Sequence, residues 1–579
     1  MSQPSAAHAS LPDQDRVSHS AFDLNVPAVT RWLAQLPRAN SGAMTRELFN
    51  AIVELNRVRM PAVRRLQLLE CIDPVWHDVR DRLQRQHLGR GGLLAEQPRQ
   101  VARLLESITS SMAVGFSLVA EQSEATTVRD RIESQTRIAR AICGSMAAFR
   151  YNLLLCSLFY QVPRKGFWRS LHRLYRRAHD EGVALERVAI EGRQLSASDL
   201  YASCILFAGA GLNQLHQRDL DGLYRRILDW APHVELVPGA PQRCLLIVNP
   251  DDDAGPVCRS KAAAPTMRWL GLDLRELVRI IDGSLDGPTL PAERTLLLHL
   301  SVNWSQAKSR SFKRIESNET LLICIGLDAT HRHVAGNEDF EVLTRAAEVA
   351  SVAQDGGNVF AERQPARQVR SRDIWDTAYD CQAPIVELAH MEQQVRDHRQ
   401  TPPAERPLPR QHRVETINVS PRGYCLQWPK DSDAPLQSGE VIGVRRDRND
   451  EQWMVGVIRW VRTGSEGAQV GIELLSASAV PWAATVVGRG APQRVLMLPA
   501  MKAIGQAAML LTPRVPFEER QKVTLARPGE EMFVTLTKQD ACSNGFSQFE
   551  FREIERLRPA LEMQSKMEEQ GFDGLWDRL

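Results

Sequence analysis

Asn418-Val419-Ser420-Pro421-Arg422-Gly423 stands between two short stretches of period-two alternation, and the second half of the chain is organised around it. Ile417 and Val419 precede it, and Tyr424, Leu426 and Trp428 follow, a pattern that predicts two strands joined by a tight connection. Asn418 and Ser420 carry short polar groups able to bond nearby backbone or a ligand, and Gly423 permits positive φ or close backbone approach. Further strands are predicted at 440–444, 453–461 and 469–475, with Thr463-Gly464-Ser465-Glu466-Gly467 as the turn before the last. That spacing predicts a small antiparallel barrel.

The Asn-x-Ser-x-x-Gly run, followed by Val457-Ile458-Arg459-Trp460-Val461 and Val470-Gly471-Ile472-Glu473-Leu474, resembles the PilZ domain. The resemblance spans residues 413–475 and implies a six-stranded barrel that binds cyclic di-GMP in bacteria. Taken alone, the hexapeptide also reads as an ordinary barrel turn with Asn418 and Ser420 bonding their own backbone. The strand text that follows it carries the family reading.

PilZ domains also have an Arg-x-x-x-Arg just before or at their first strand, and two such pairs occur here. Arg310 and Arg314 precede the strand-like Leu321–Leu327 but stand about one hundred residues before Asn418, much farther than is usual in the family. Arg406 and Arg410 end eight residues before Asn418, which scarcely leaves room for a strand out and a strand back at about five residues each. Their Pro-rich surroundings also read as linker. The expectation is therefore a split barrel, assembled from residues near 310–335 and 411–478, with an insertion at about 339–410 that opens on a helix from Phe340 to Ala350. Arg406 and Arg410 remain the alternative pair, and Arg310 and Arg314 also read as a basic loop on the helical part. Residues 361–410 hold few apolar side chains and many prolines and arginines. They are expected to be the first segment cut by limited trypsin digestion, and earlier cleavage elsewhere would count against this.

At 579 residues, with 43% apolar and 25% charged residues, the chain predicts three or four domains of globular composition. A formal charge of +2 gives no whole-chain drive toward nucleic acid or anionic membrane, so any anion site must be local. Met1–Ser20 lacks the basic start and apolar core of a signal peptide, and residues 1–24 read as a disordered tail. The most apolar run, Tyr151–Tyr160, is about half the length of a membrane helix, so no transmembrane span is expected. The 10 cysteines are scattered without a Cys-x-x-Cys pair and read as buried thiols of a cytoplasmic protein.

Residues 25–300 read as a helical domain, with apolar stripes starting at Pro27, Ser41, Pro61 and Asp73-Pro74. Leu171–Arg177 and Leu220–Arg226 share a text, a weak sign of stacked helix pairs, and their Arg pairs read as solvated faces. Asn249-Pro250-Asp251-Asp252-Asp253 reads as a solvated turn, because the spacing of a calcium loop is absent. Thr266–Ile281 reads as a helix. After Pro481 a second run of short strands, punctuated by prolines, predicts a second β domain over 481–579, closed by a helix at Ile554–Met567. The fold class expected is multidomain α+β: an all-α region, a PilZ-like antiparallel β-barrel and a second small β domain.

Cyclic di-GMP has two phosphates and two guanines, and an arginine fork serves phosphate while its flat face stacks on purine. By resemblance, Arg310 and Arg314 would grip phosphate and guanine edges, Asn418 and Ser420 would bond guanine or phosphate oxygens, and Gly423 would let backbone approach. No phosphate-cradling Gly-x-x-x-x-Gly-Lys-Ser/Thr, Gly-x-Ser-x-Gly elbow or His-Glu-x-x-His is present, so no enzyme is expected. His331 and His333 would share one strand face and could ligate a metal, but with no third ligand they read as surface or strand-end histidines. The function expected is a cytoplasmic cyclic di-GMP receptor that acts on a protein partner through its helical domain, in surface behaviour such as motility, pili or biofilm. The alternative is a PilZ-like scaffold without ligand. The cofactor expected is cyclic di-GMP alone, with no metal and no nucleic-acid partner.

Overall fold

The computed structural model describes residues 11–88, 96–123, 128–262, 265–287, 289–305, 314–341, 344, 408–430, 432, 434–446, 452–464, 466–487, 489–500, 507–543 and 545–554. Arg310, Arg406, the segment expected to be cut first by trypsin, up to residue 407, and the helix expected from Ile554 onward lie outside the described residues, as does most of the one expected from Phe340.

The first half is helical because its apolar residues recur at helical spacing, and the starts of four of its helices are capped by side chains. Helix α1 (Val26–Gln35) is capped by Asn25, whose side chain accepts from the Ala28 amide, with Pro27 in the first turn. Asn40, not Ser41, caps α2 (Ser41–Arg57). Helix α3 (Ala62–Leu83) runs straight through Pro74, where the sequence reading starts a new helix. A proline inside a helix removes one backbone bond, but Leu68, Leu69 and Ile72 before it and Trp76 and Val79 after it are all buried. Packing on both sides outweighs that loss.

Helices α4 (Glu96–Gln122) and α5 (Val128–Leu158) form the central antiparallel pair. The part of α5 from Arg131 to Leu158 is long and apolar enough to cross a membrane by length and composition, so the apolar run is longer than Tyr151–Tyr160 suggests. Its apolar window is 78% buried inside the fold, the environment of a core helix. Helix α6 (Phe167–Asp180) precedes a hairpin of β1 (Val188–Ile190) and β2 (Arg193–Leu195), and α7 (Ala197–Ala208) and α8 (Gln217–Trp230) complete the helical layer. Asp253 is no solvated turn residue: its carboxylate accepts from the Gly166 and Arg169 amides at the start of α6, the latter at 3.0 Å. Those bonds hold it below the usual carboxylate range although burial opposes them.

The stretch read as a helical domain, with one strand expected at Cys244–Val248, contains a four-stranded sheet in the order β3 (Glu235–Pro238), β6 (Leu270–Asp273), β4 (Leu246–Val248), β5 (Val257–Cys258). Thr266–Ile281 is therefore not one helix. It divides into β6 and the start of α9 (Arg275–Leu285), which is followed by α10 (Pro291–Ser305). A Cβ on Gly271 in β6 would stand 2.7 Å from that of Cys244, so the strand approaches its neighbour as only glycine allows.

The first barrel begins with β7 (Ile315–Glu316), β8 (Thr320–Ile325) and the short helix α11 (Leu327–Val334). It resumes with β9 (His412–Ser420), β10 (Gly423–Pro429), β11 (Val441–Arg446), β12 (Met454–Gly464) and β13 (Gly467–Ser476). Strands β8, β9, β10, β13, β12 and β11 hydrogen-bond in that order, and β11 returns to β8, closing a six-stranded ring. Leu321 pairs with Val414 on one side and Arg446 on the other. The second barrel closes as β14 (Val480–Val486), β15 (Arg489–Leu498), β16 (Met509–Thr512), β19 (Ser547–Glu553), β18 (Glu530–Cys542) and β17 (Lys522–Arg527).

One hydrophobic core runs from the helices into the first barrel, reaching Leu426, Trp428 and Ile458. Tyr160, at the end of the α5 segment, forms the polar joint. Its hydroxyl donates to the Leu215 carbonyl at 2.8 Å and accepts from the Ser438 amide at 3.2 Å. Its carbonyl takes the Thr463 amide at 3.0 Å.

His331 and His333 lie on α11, not on a strand, and both are buried. His331 Nε2 donates to the Trp482 carbonyl of the second barrel at 3.1 Å, and the His333 ring stacks on Trp453 at 4.7 Å between centroids. Among the described residues no group of three His, Cys, Asp or Glu side chains could hold a metal ion. Burial pushes the His331 imidazole down to about 4, with the Trp482 bond opposing the shift. The unfolded state therefore binds the extra proton between about pH 4 and 6.5, and the stability this neutral residue supplies is present above 6.5 and lost as pH falls. The loss should be about 2–4 kcal/mol. Thermal unfolding is expected to come earlier at pH 5 than at pH 7, and His331→Gln should lessen the difference. An undiminished pH dependence in that variant would remove His331 as the cause.

Candidate functional site

Residues that alternate outward on the first barrel form one face. Tyr424, Leu426, Val470 and Ile472 point into the core. Between them, the cross-strand register aligns Glu316, Asn418, Cys425, Gly471 and Trp460 on five neighbouring strands. The middle of the row is small. A Cβ on Gly471 would stand 1.9 Å from the Trp460 indole nitrogen, so the indole lies flat against that glycine.

Strand β7 brings the arginine. Ile315 pairs with Val419 and Glu316 with Asn418, and continuing that antiparallel register by one residue sets exposed Arg314 opposite Ser420. The chain then jogs, with the Thr416 hydroxyl donating to Ser317 Oγ at 2.9 Å, before it takes up pairing as β8. The charge reaches the row: burial raises the Cys425 thiol, and the guanidiniums of Arg314 and Arg462 pull it back. Arg410 sits at the opposite end of β9, eight residues from Asn418, or roughly 26 Å along an extended strand.

Pro421 and Arg422 form the exposed tip of the β9–β10 hairpin, and Ser420 Oγ donates to the Gly423 carbonyl at 3.2 Å. Its lone pairs remain available as acceptors. Gly423 has a structural need of its own. A Cβ there would lie 2.0 Å from the Ile472 carbonyl oxygen, so the absent side chain lets β13 approach.

The sequence reading did not single out Trp460 or Arg462. A bulge between Ile458 and Trp460 shifts the alternation of β12 by one residue, and an aromatic in a strand of buried Ile458 and Val461 reads as core. The one signal was the glycine opposite it, since Gly471 stands between Val470 and Ile472 in the interior of a strand. Arg459 at the bulge turns to Glu473, 2.6 Å away.

Comparison with known proteins agrees with this architecture. Residues 27–241 match the family model of the FimW N-terminal domain, residues 245–481 that of the middle PilZ domain of the cyclic-di-GMP receptor FimW, and residues 483–554 that of the FimW C-terminal β-barrel domain. The cyclic-di-GMP receptor FimW of Pseudomonas aeruginosa is 30% identical over 626 aligned residues, covering 99% of each chain. The chain belongs to the FimW family. No solved structure matches it. In FimW terms, the middle model takes in the sheet from β4 to β6 and helices α9 and α10 together with the first barrel.

Proposed function

We propose that this chain is a receptor for cyclic di-GMP, bound on the outer face of the first barrel. The observation that supports this is the β7–β9 register, in which Ile315 pairs with Val419 and Glu316 with Asn418, so that Arg314 is the next residue toward Ser420 despite their separation in sequence. Arg314, with Arg310 four residues earlier, supplies planar cations for phosphate and guanine edges. Asn418 and Ser420 supply short hydrogen-bonding groups, and the Trp460 indole offers a flat surface to a base. The relative from Pseudomonas aeruginosa, a cyclic-di-GMP receptor by name, supports the same ligand.

The protein is a binding protein of the cytoplasm rather than an enzyme, and its helical half carries the signal to a protein partner in bacterial surface behaviour. The joint at Tyr160, with the core continuous across it, supports transmission between barrel and helices. Calorimetric titration with cyclic di-GMP is expected to show saturable binding at micromolar concentration. Absence of binding there would leave the scaffold reading in its place.

A further inference from the structure

A cavity of about 690 Å³ opens between the helical layer and the first barrel, away from the face described above. Helices α3, α5 and α8 and the β1–β2 hairpin wall it, and the barrel contributes Gln437 from the loop before β11. Its size lies within the range of small-molecule sites.

The lining is cationic and planar, with six arginines against three carboxylates. Some of that charge is matched: Arg80 meets Asp81 at 2.9 Å and Glu191 at 3.3 Å, and Arg225 meets Asp221 at 2.8 Å. Arg85 and Arg218 have no carboxylate at ion-pair distance among the described residues. The aromatic rings are already stacked with guanidinium planes. Arg150 Cζ lies 3.6 Å from the Tyr224 ring centroid, and Arg80 Cζ lies 4.5 Å from that of Tyr151.

Three buried polar atoms on these walls lack any hydrogen-bond partner: Tyr224 Oη, Arg150 Nε and Gln437 Oε1. Tyr224 and Arg150 are 6% and 2% exposed, and burial raises the Tyr224 phenol, so it stays a neutral donor. Glu191, at the hairpin tip beside the cavity, holds a left-handed φ of 50°, a conformation that costs a non-glycine residue energy and clusters at functional sites.

From this geometry we infer a second ligand site in the helical half, for a phosphorylated molecule of nucleotide size. Arginine forks match phosphate oxygens, and guanidinium faces accept a base. The arginine forks on the wall supply the contacts to ligand oxygens, and the buried Tyr224 Oη, Arg150 Nε and Gln437 Oε1 lie behind them.

Calorimetry on the full chain with GTP, ATP and inorganic pyrophosphate, in about 0.15 M salt to screen loose surface binding, tests this. At least one nucleotide is expected to bind one-to-one, saturating below about 1 mM, and more tightly than pyrophosphate. Arg85→Gln with Arg218→Gln, both exposed positions, should weaken that binding about tenfold or more while the melting temperature holds. Tyr224→Phe removes a hydroxyl closed off from the cavity and should change the affinity by less than about twofold. Cyclic di-GMP affinity should be unchanged in all of these variants, and Arg314→Ala should leave nucleotide binding intact, so failure of either site is visible independently of the other. No saturable binding, binding indifferent to the arginine changes, or pyrophosphate binding as tightly as the nucleotides would overturn the assignment.

Discussion

Arg314→Ala is expected to lower the affinity for cyclic di-GMP by roughly ten- to a hundredfold, the value of one charge-assisted hydrogen bond of about 1.5–3 kcal/mol. Arg314 is exposed, so the melting temperature should not move, and calorimetry with a parallel thermal melt separates the two effects. Ser420→Ala should cost less, because Ser420 is neutral and already donates to the Gly423 carbonyl. Arg406→Ala and Arg410→Ala are the internal contrast. Arg410 lies at the far end of β9 from Asn418 and should be replaceable without loss. Should those two changes abolish binding while Arg314→Ala does not, the second arginine pair would be the one that frames the ligand.

The other large effect is on folding. Gly423→Ala places a methyl 2.0 Å from the Ile472 carbonyl oxygen and 3.1 Å from the Glu473 Cα. Both are backbone atoms of β13, paired with β10 from Gly423 to Pro429, so neither can turn aside. The cost should exceed ~3 kcal/mol, which for a unit of this size is a drop of roughly 10 °C in the melting transition of the barrel. Gly471→Ala makes an equally close contact, but with the Trp460 indole at 1.9 Å, the end of a side chain that can rotate away. That variant is expected to fold, melt within a few degrees of the parent and lose cyclic di-GMP affinity, because its cost falls on the ligand face. A Gly471→Ala protein that bound cyclic di-GMP unchanged would remove Trp460 from the site, and a Gly423→Ala protein as stable as the parent would refute the steric account.

The chain by itself determined what short-range periodicity can encode. Alternation around Asn418–Gly423 gave the strands of the first barrel, and helical stripes gave α1 and α2. The fold class followed from their order, an all-α start before two β domains. Local text misled where a residue's partner lay elsewhere in the chain. Asp253 looked like solvent-facing acid because the amides it caps belong to α6, and Thr266–Ile281 looked helical because nothing nearby records that β6 pairs with β3 and β4. His331 and His333 looked like surface residues because Trp482 and Trp453, which cover them, come from β14 and the run into β12. The outer face is the clearest case. Which arginine stands beside Ser420, and whether Trp460 points to core or ligand, depends on strand pairings formed across long sequence separation and on one bulge in β12. A one-residue shift in register reverses the face every side chain occupies, and only the closed barrel, by burying Tyr424, Leu426 and Ile472 together, selects which face is outside.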